Sequence, residues 1–246
     1  MSNEVVDWKA KMAASVVAHQ EAEQASVSTI SLASGTMTLM DQQVPNNTLD
    51  AIIVASGVER TLYLRDYDPD DKSPPDCYAQ KIGNDDVFRP DMIPAANVPE
   101  PMAATCAVCQ YSKLGSASRG KGPACKTRRR LVLAPASVVG HPDKLGKQLV
   151  LLNVPPTSGQ NYTGYLNKLL STGLPPEAVV TKIKYGPSKK YMFEMGFDLV
   201  APITDDATLS AIFSNTDSFT PLILGGYNYE EEPAPAPEPA KKSKKY

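Results

Sequence analysis

Histidine is scarce in this sequence, and its two copies, His19 and His141, fall in no recognisable catalytic motif. Three further patterns are absent: the nucleotide-binding loop Gly-x-x-x-x-Gly-Lys-Ser/Thr, the dinucleotide-binding pattern Gly-x-Gly-x-x-Gly after a strand, and the hydrolase elbow Gly-x-Ser-x-Gly. These absences remove support for histidine-based catalysis, nucleotide hydrolysis, dinucleotide chemistry and serine hydrolysis. We therefore expect a protein that is not an enzyme.

Long hydrophobic runs are also missing. The most apolar stretches, such as residues 51–55 and 148–152, are strand-length, whereas a membrane helix needs about 18 apolar residues. The N-terminus, Met-Ser-Asn-Glu, has neither the basic nor the apolar region of a secretion signal. We therefore expect no membrane role and a cytoplasmic location.

Acidic residues are absent from residues 101–140, a segment that carries seven basic ones. The preceding stretch, residues 66–100, has nine acidic and three basic residues. The net charge of −2 does not reveal that acidic and basic residues are segregated along the chain. A basic segment next to an acidic one predicts a surface for an anionic partner more clearly than the net charge does.

The four cysteines are Cys77, Cys106, Cys109 and Cys125. The Cys-x-x-Cys spacing of Cys106 and Cys109 lets both thiolates reach one ion, and the other two can complete a tetrahedral shell. We therefore expect a structural Zn²⁺ site, which leaves no open position for catalysis. Four free thiols are the main alternative, and disulfides or a thioredoxin-like redox pair have less support. The long gap before Cys106 is unusual for a zinc finger.

The pattern of apolar residues predicts a mainly β, α+β fold. Strand-like runs occupy residues 28–32, 35–39, 49–55 and 61–64, and further runs follow at 130–133 and 147–152. A helix is expected after residues 157–158, a β-hairpin around residues 186–188 and a short helix at 205–213. Several strands at short spacing predict a sheet or barrel, with the four-cysteine segment as an insertion and the helices at its periphery.

Composition divides the chain into three parts. Residues 1–26 are expected to form an N-terminal helix or arm, and residues 27–228 a nucleic-acid-binding domain with its zinc subdomain at 66–130. Residues 229–246 begin with glutamates, continue with alternating Pro and Ala, and end in lysines, so we expect a disordered tail. The tail is a candidate attachment for replication or recombination proteins.

The basic segment contains several glycines, which allow backbone amides and flexible cations to follow a phosphate chain. Tyrosines on the neighbouring strands and turns offer faces on which unpaired bases can stack, although tyrosines in strands are also common in cores. Further lysines lie on the predicted hairpin. The candidate nucleic-acid-binding residues are Tyr63, Arg65, Tyr67, Tyr111, Lys113, Arg119, Lys121, Lys126, Arg128, Arg129, Arg130, Lys182, Lys184 and Tyr185.

Several sequence blocks carry a resemblance to a family. They are Cys-x-x-Cys at 106–109, Gly-Ser-Ala at 115–117, Gly-Lys-Gly-Pro-Ala-Cys-Lys-x-Arg-Arg-Arg-Leu at 120–131, Leu-Leu-Asn-Val-Pro-Pro-Thr-Ser at 151–158 and Val-Val-Thr-Lys-Ile at 179–183. The chain resembles phage-encoded, zinc-containing single-stranded DNA-binding proteins with an OB-like core. It is more distantly similar to the single-stranded DNA-binding protein of T-even phages, but it has four cysteines where that protein includes a histidine.

The resemblance implies a five-stranded OB-like barrel with an inserted four-cysteine zinc loop. It also implies largely sequence-independent binding of single-stranded DNA in phage replication and recombination, in the cytoplasm of the host cell. Two alternatives remain open. One is a phage structural or protein-interaction module built around the same zinc site. The weaker one is a metal-dependent nuclease that uses Asp66, Asp68, Asp70 and Asp71, although such an acidic loop is more often a solvated turn.

Overall fold

The computed structural model describes residues 27–65, 73–83, 92–118 and 120–229. Within these ranges nine β-strands form one sheet, and three α-helices pack on it. The predicted class, mainly β with some helix, is confirmed. The strands are β1 (Ser28–Ala33), β2 (Thr36–Leu39), β3 (Gln42–Gln43), β4 (Thr48–Leu62), β5 (Cys77–Ile82), β6 (Lys126–Pro135), β7 (Val150–Val154), β8 (Val179–Pro187) and β9 (Phe193–Pro202); the helices are α1 (Gly159–Ser171), α2 (Asp206–Ser214) and α3 (Thr216–Ile223).

The strand order is β3-β2-β1-β7-β6-β4-β8-β9, and β5 pairs with β4 beside this path. Only β1 and β7 are parallel, and the other pairs are antiparallel. The described strands form one nine-stranded sheet in place of the predicted five-stranded barrel. β1 occupies the free edge of β7 and extends the sheet, and the described strand pairs do not join β9 to β3.

The central strand β4 is 15 residues long and has a different neighbour along each part of its length. Its first residues pair with β8, its last six pair with β5, and β6 pairs with most of the strand. A register shift between Ile53 and Ala55 marks a bulge, a feature that bends a strand and increases its twist. The two strands predicted at 49–55 and 61–64 are therefore one strand, and its C-terminal end leads into the cysteine-containing segment.

Alternating residues of the strands supply two separate cores. On one face Ile53, Leu131 and Ile183 pack against Tyr162 and Leu169 of α1. On the other face Ile52, Val54 and Val132 pack with Ile212 of α2 and with Phe219 and Ile223 of α3. The central strands are thus covered on both sides, so a ligand reaches the molecule most easily at the loops and strand ends.

The helix α1 and the β8–β9 hairpin agree with the sequence prediction. α1 ends before Gly173, whose φ of +74° suits glycine, and the hydroxyl of Ser158 accepts a 2.8 Å hydrogen bond from the Met195 amide. This bond ties the start of α1 to β9. The predicted helix at 205–213 is confirmed as α2, which Asp205 caps by accepting a 2.7 Å hydrogen bond from the Thr208 amide.

Two predicted segments lie outside the described residues, namely the N-terminal helix or arm at 1–26 and the tail beyond residue 229. The chain is packed as far as Tyr229, whose hydroxyl donates a 2.7 Å hydrogen bond to the carbonyl of Pro75. Among the helices that the structure describes, each is too short or too polar to cross a membrane.

Candidate metal centre and nucleic-acid interface

The four cysteines come from three separate stretches of chain but line one small cavity. Cys77 is the first residue of β5, Cys106 and Cys109 lie in the loop between β5 and β6, and Cys125 directly precedes β6. All four are buried and none forms a disulfide. We call residues 73–83 together with 92–125 the cysteine module; Arg119 within it lies outside the described residues.

The thiols of the cysteine module interact electrostatically. Burial raises the pKa of Cys106 to about 11, and negative charge on Cys125, Cys77 or Cys109 would raise it further. Burial also raises the pKa of Cys125, whereas the guanidinium of Arg60 lowers it through its charge and a hydrogen bond. Without a bound cation the Cys106 thiol is therefore protonated at neutral pH, and a metal ion would have to displace its proton.

Four sulfur ligands are the donor set that structural Zn²⁺ sites use. Two buried polar atoms of the same cavity, Arg60 Nε and Ser112 Oγ, have no hydrogen-bond partner among the described residues, and both can donate to a thiolate. The chemistry of the cavity therefore fits the ion. Among the described residues, however, no three or more Cys, His, Asp or Glu side chains stand together closely enough to hold a metal ion. The zinc site thus stays a prediction.

The arginine run is not a loop but the beginning of β6, and its side chains point to alternate faces. Arg128 and Arg130 both form ion pairs with Glu59, which is fully buried in β4; the Arg130 pair is 2.7 Å long. Arg129 is 3% exposed on the opposite face, with its guanidinium 5.9 Å from the ring centre of Tyr162.

Burial leaves Arg129 and Arg130 little surface for a phosphate, whereas the side chain of Arg128 is 28% exposed, so nucleic-acid binding by this run stays a prediction with the weakest support at Arg129 and Arg130. The carboxylate of Glu59 neutralises charge on Arg128 and Arg130, and Arg129 is enclosed under α1. Glu59 also accepts a 2.8 Å hydrogen bond from Gln80 of β5 and one of 3.3 Å from the hydroxyl of Tyr227. The network therefore joins β4, β5, β6 and the C-terminal segment, which is a structural role.

Three exposed cations lie on the outer loop of the described cysteine module and at the adjoining start of β6. They are Lys113, Lys121 and Lys126, and we call them the lysine rim. The loop that carries the first two is folded on itself, since the Gly115 amide donates to the carbonyl of Lys121 at 3.0 Å. The Nζ of Lys126 donates to the carbonyl of Pro123 at 2.8 Å. The rim therefore presents positive charge from an ordered backbone, and nucleic-acid binding by these three lysines stays a prediction.

The candidate tyrosines differ in exposure. Tyr63 is 46% exposed at the end of β4, and the guanidinium of Arg65 lies 5.4 Å from its ring centre. Tyr111 packs partly buried against the interior of the module, and Tyr185 packs against the core beside Phe193 at 5.8 Å. Tyr63 is therefore the described candidate best placed to stack a base, and Tyr67 lies outside the described residues.

The fold does not bring the hairpin residues Lys182 and Lys184 close to the lysine rim. Lys182 pairs with Asp50 of β4, whereas β5 of the cysteine module pairs with residues 57–62, about 20–40 Å further along the strand. Lys182 has Asp50 and Asp198 as cross-strand neighbours, and Lys184 forms an exposed 3.2 Å ion pair with Asp198. These two lysines therefore form a separate and partly neutralised patch.

The acidic residues of the nuclease alternative, at positions 66, 68, 70 and 71, lie outside the described residues. Comparisons with protein-family models, with curated proteins and with solved structures find no match to this chain. The resemblance drawn from the sequence blocks therefore stays a prediction, and the function has to be argued from the site itself.

Proposed function

We propose that this protein binds single-stranded DNA without strong sequence preference and without catalysis. The proposal rests on one observation: two polar loops join the same pairs of strands as the loops with which an OB fold binds nucleic acid. β4, β6, β7, β8 and β9 follow one another as the five strands of an OB fold do, with α1 between the third and the fourth. OB folds bind oligonucleotides with the loops that join strands one to two and four to five.

The loop between the first and second of these strands is the cysteine module, which carries the lysine rim and lies next to Tyr63. The loop between the fourth and fifth is the hairpin turn at 188–192, where Lys189 and Lys190 are exposed and Lys190 lies 5.1 Å from the ring centre of Tyr191. Each loop thus combines exposed cations with an aromatic ring, the pairing that single-strand binding uses. The hairpin turn lies beyond Lys184, towards the opposite end of β4 from the cysteine module, so the two loops would be separate contact points along one nucleic-acid strand.

The centres of β6 and β7 are covered by helices on both faces, so the loops and not the sheet surface would contact the nucleic acid. The lysine rim would neutralise phosphates and Tyr63 would stack an unpaired base. Phosphate contacts of this kind carry no base information, which accounts for weak sequence preference.

In this proposal Cys77, Cys106, Cys109 and Cys125 hold one Zn²⁺ ion. A four-sulfur site supplies no catalysis, and its contribution is to fix the fold of the segment that it joins. The module needs such a constraint because its loop has little regular structure, with one short strand and a single 3₁₀ turn among its described residues.

A gel-shift experiment with labelled single-stranded DNA, single-stranded RNA and duplex DNA, each with and without Mg²⁺, tests the proposal. We expect binding of the single strands at low salt, weaker binding of the duplex and no cleavage. Cleavage that depends on Mg²⁺ would establish the nuclease alternative. Equal binding of the duplex would rule out a mode in which unpaired bases stack.

A protein-interaction module is the second candidate, and exposed apolar side chains favour it. Ile93, Val108 and Leu114 are 69%, 68% and 83% exposed on the cysteine module. Exposed apolar residues that lie close together mark protein-docking surfaces, whereas isolated ones are common. Absence of nucleic-acid binding at low salt, together with zinc in the purified protein, would favour this candidate over the first.

A further inference from the structure

The cysteine cavity contains a buried positive charge. Arg60 lies in β4 opposite Ala79 of β5 and Thr127 of β6, and it is only 5% exposed. Its side chain lines the same cavity as the four cysteines and forms a hydrogen bond with Cys125. A guanidinium is permanently charged, so this cavity holds a positive charge at every accessible pH.

No acidic side chain is paired with this charge in the part of the chain that the structure describes. The adjacent Glu59 faces the other side of the sheet, where Arg128 and Arg130 already bind it. The remaining described ion pair, Lys184 with Asp198, lies at the far end of β4. A buried, unpaired charge is costly, so the position of Arg60 requires a negative counterpart inside the cavity.

Two hydrogen-bond donors of the cavity also lack acceptors among the described residues. One is Nε of Arg60, and the other is the hydroxyl of Ser112, which lines the same cavity. Buried donors without partners are rare and point to an acceptor that is added later. A neutral thiol is a weak acceptor, whereas a thiolate bound to a metal is negative and accepts such bonds well.

We propose that Arg60 and Ser112 donate hydrogen bonds to the sulfur ligands of a metal bound by four thiolates. The positive charge of Arg60 would also offset part of the negative charge of that site. A divalent ion with four thiolates carries a net charge of −2, and the guanidinium would offset half of it. Second-shell groups of this kind orient ligands and strengthen metal binding. The inference rests on the metal site of the proposed function and does not depend on nucleic-acid binding.

This role predicts opposite effects on the two forms of the protein. In the metal-loaded form Arg60 is paired with the thiolates, and removing its charge weakens metal binding. In the metal-free form the same charge is unpaired, and removing it relieves a cost. An arginine that only fills space would behave differently, because its loss would weaken both forms together.

The test compares Arg60→Met with Arg129→Met in the full-length protein. Methionine is uncharged and flexible enough to fill the space, and Arg129 is a second buried arginine of the same β-sheet. Zinc affinity is measured with Zn²⁺ and a chromogenic chelator as competitor. Stability of the metal-free protein is measured by urea unfolding.

For Arg60→Met we expect a 10- to 100-fold loss of zinc affinity, the usual effect of losing an outer-shell partner, with an unchanged or higher urea midpoint of the metal-free form. For Arg129→Met we expect zinc affinity within about threefold of wild type. Equal zinc affinities in wild type and Arg60→Met would overturn the inference, and so would a wild-type protein that binds no zinc.

A second pair of variants keeps the inference testable if Arg60→Met does not fold. Arg60→Lys retains the charge but loses the planar donor array, so we expect a smaller loss of zinc affinity than a neutral residue causes. Ser112→Ala removes one donor and should weaken zinc binding severalfold. Full zinc affinity in both variants would contradict the proposed outer shell. Loss of DNA binding alone, with zinc binding intact, would refute only the proposed function.

Discussion

The side chain of Glu59 decides how the arginine run of β6 can be used. Its carboxylate is fully buried and holds Arg128 and Arg130, and it receives further hydrogen bonds from Gln80 and Tyr227. Sequence reasoning missed this role because Glu59 lies 69 positions before Arg128. The only local signal is an adjacent Glu-Arg pair inside an otherwise apolar strand, which indicates buried partners for both side chains.

Replacing Glu59 by glutamine should lower the free energy of unfolding by roughly 3–5 kcal/mol, because two arginines would lose their buried partner. Urea denaturation of the full-length protein measures this change. Asp198→Asn is the matched control, since it removes the exposed partner of Lys184 and should cost less than about 1 kcal/mol. A cost for Glu59→Gln as small as that of the control would show that the network is not structural.

At the scale of elements, local patterns predicted β1, β2, α1, the β8–β9 hairpin and α2, because each has its own periodicity and terminal residues. β4 was predicted as two strands, since the polar residues Glu59 and Arg60 interrupt its apolar pattern. Only tertiary partners make those residues compatible with a buried strand. Helix α3 was missed, although Phe219, Leu222 and Ile223 share one buried side of it.

The approach of α3 to β4 depends on Gly57. A Cβ atom at this position would lie 2.6 Å from the carbonyl oxygen of Lys81 and would collide with Ile223 of α3. Gly57→Ala should therefore cost about 1–3 kcal/mol of unfolding free energy, as overpacking of a core does. Thermal and urea unfolding both measure this loss.

Gly164 of α1 is the matched control for that substitution, because the space around its Cβ position is open. Alanine in a helix interior is favoured over glycine, so Gly164→Ala should stabilise the protein by about 0.5–1 kcal/mol. Opposite signs for the two substitutions are expected. A neutral Gly57→Ala variant would mean that α3 does not pack on β4 as described.

At the scale of the whole molecule, the sequence predicted a mainly β fold with some helix but not the edge that β1 adds. Hydrophobic patterns predict which segments are strands, and pairing between distant segments such as β1 and β7 leaves no local signal. The candidate site was likewise predicted in part. The cysteines and the lysine rim were identified by residue type and spacing, whereas the burial of the arginines depends on the partners that the fold brings to them.

The central claim is that the lysine rim of the cysteine module binds the phosphates of single-stranded DNA. The variant Lys113→Gln/Lys121→Gln/Lys126→Gln removes the three cations of the rim. The control Lys144→Gln/Lys147→Gln/Lys168→Gln removes three exposed lysines from other surfaces. Both variants change the net charge equally, so a difference between them reports the location of the binding site.

The decisive measurement is the salt dependence of affinity for a fluorescent single-stranded oligonucleotide, determined by anisotropy for the zinc-loaded wild type and both variants. Each phosphate contact contributes about 0.7 to the slope of log K against log salt, so the rim variant should lose about 2 from the slope and bind more weakly at low salt. The control variant should keep the wild-type slope. An unchanged slope in the rim variant, or an equal loss in the control, would contradict the account.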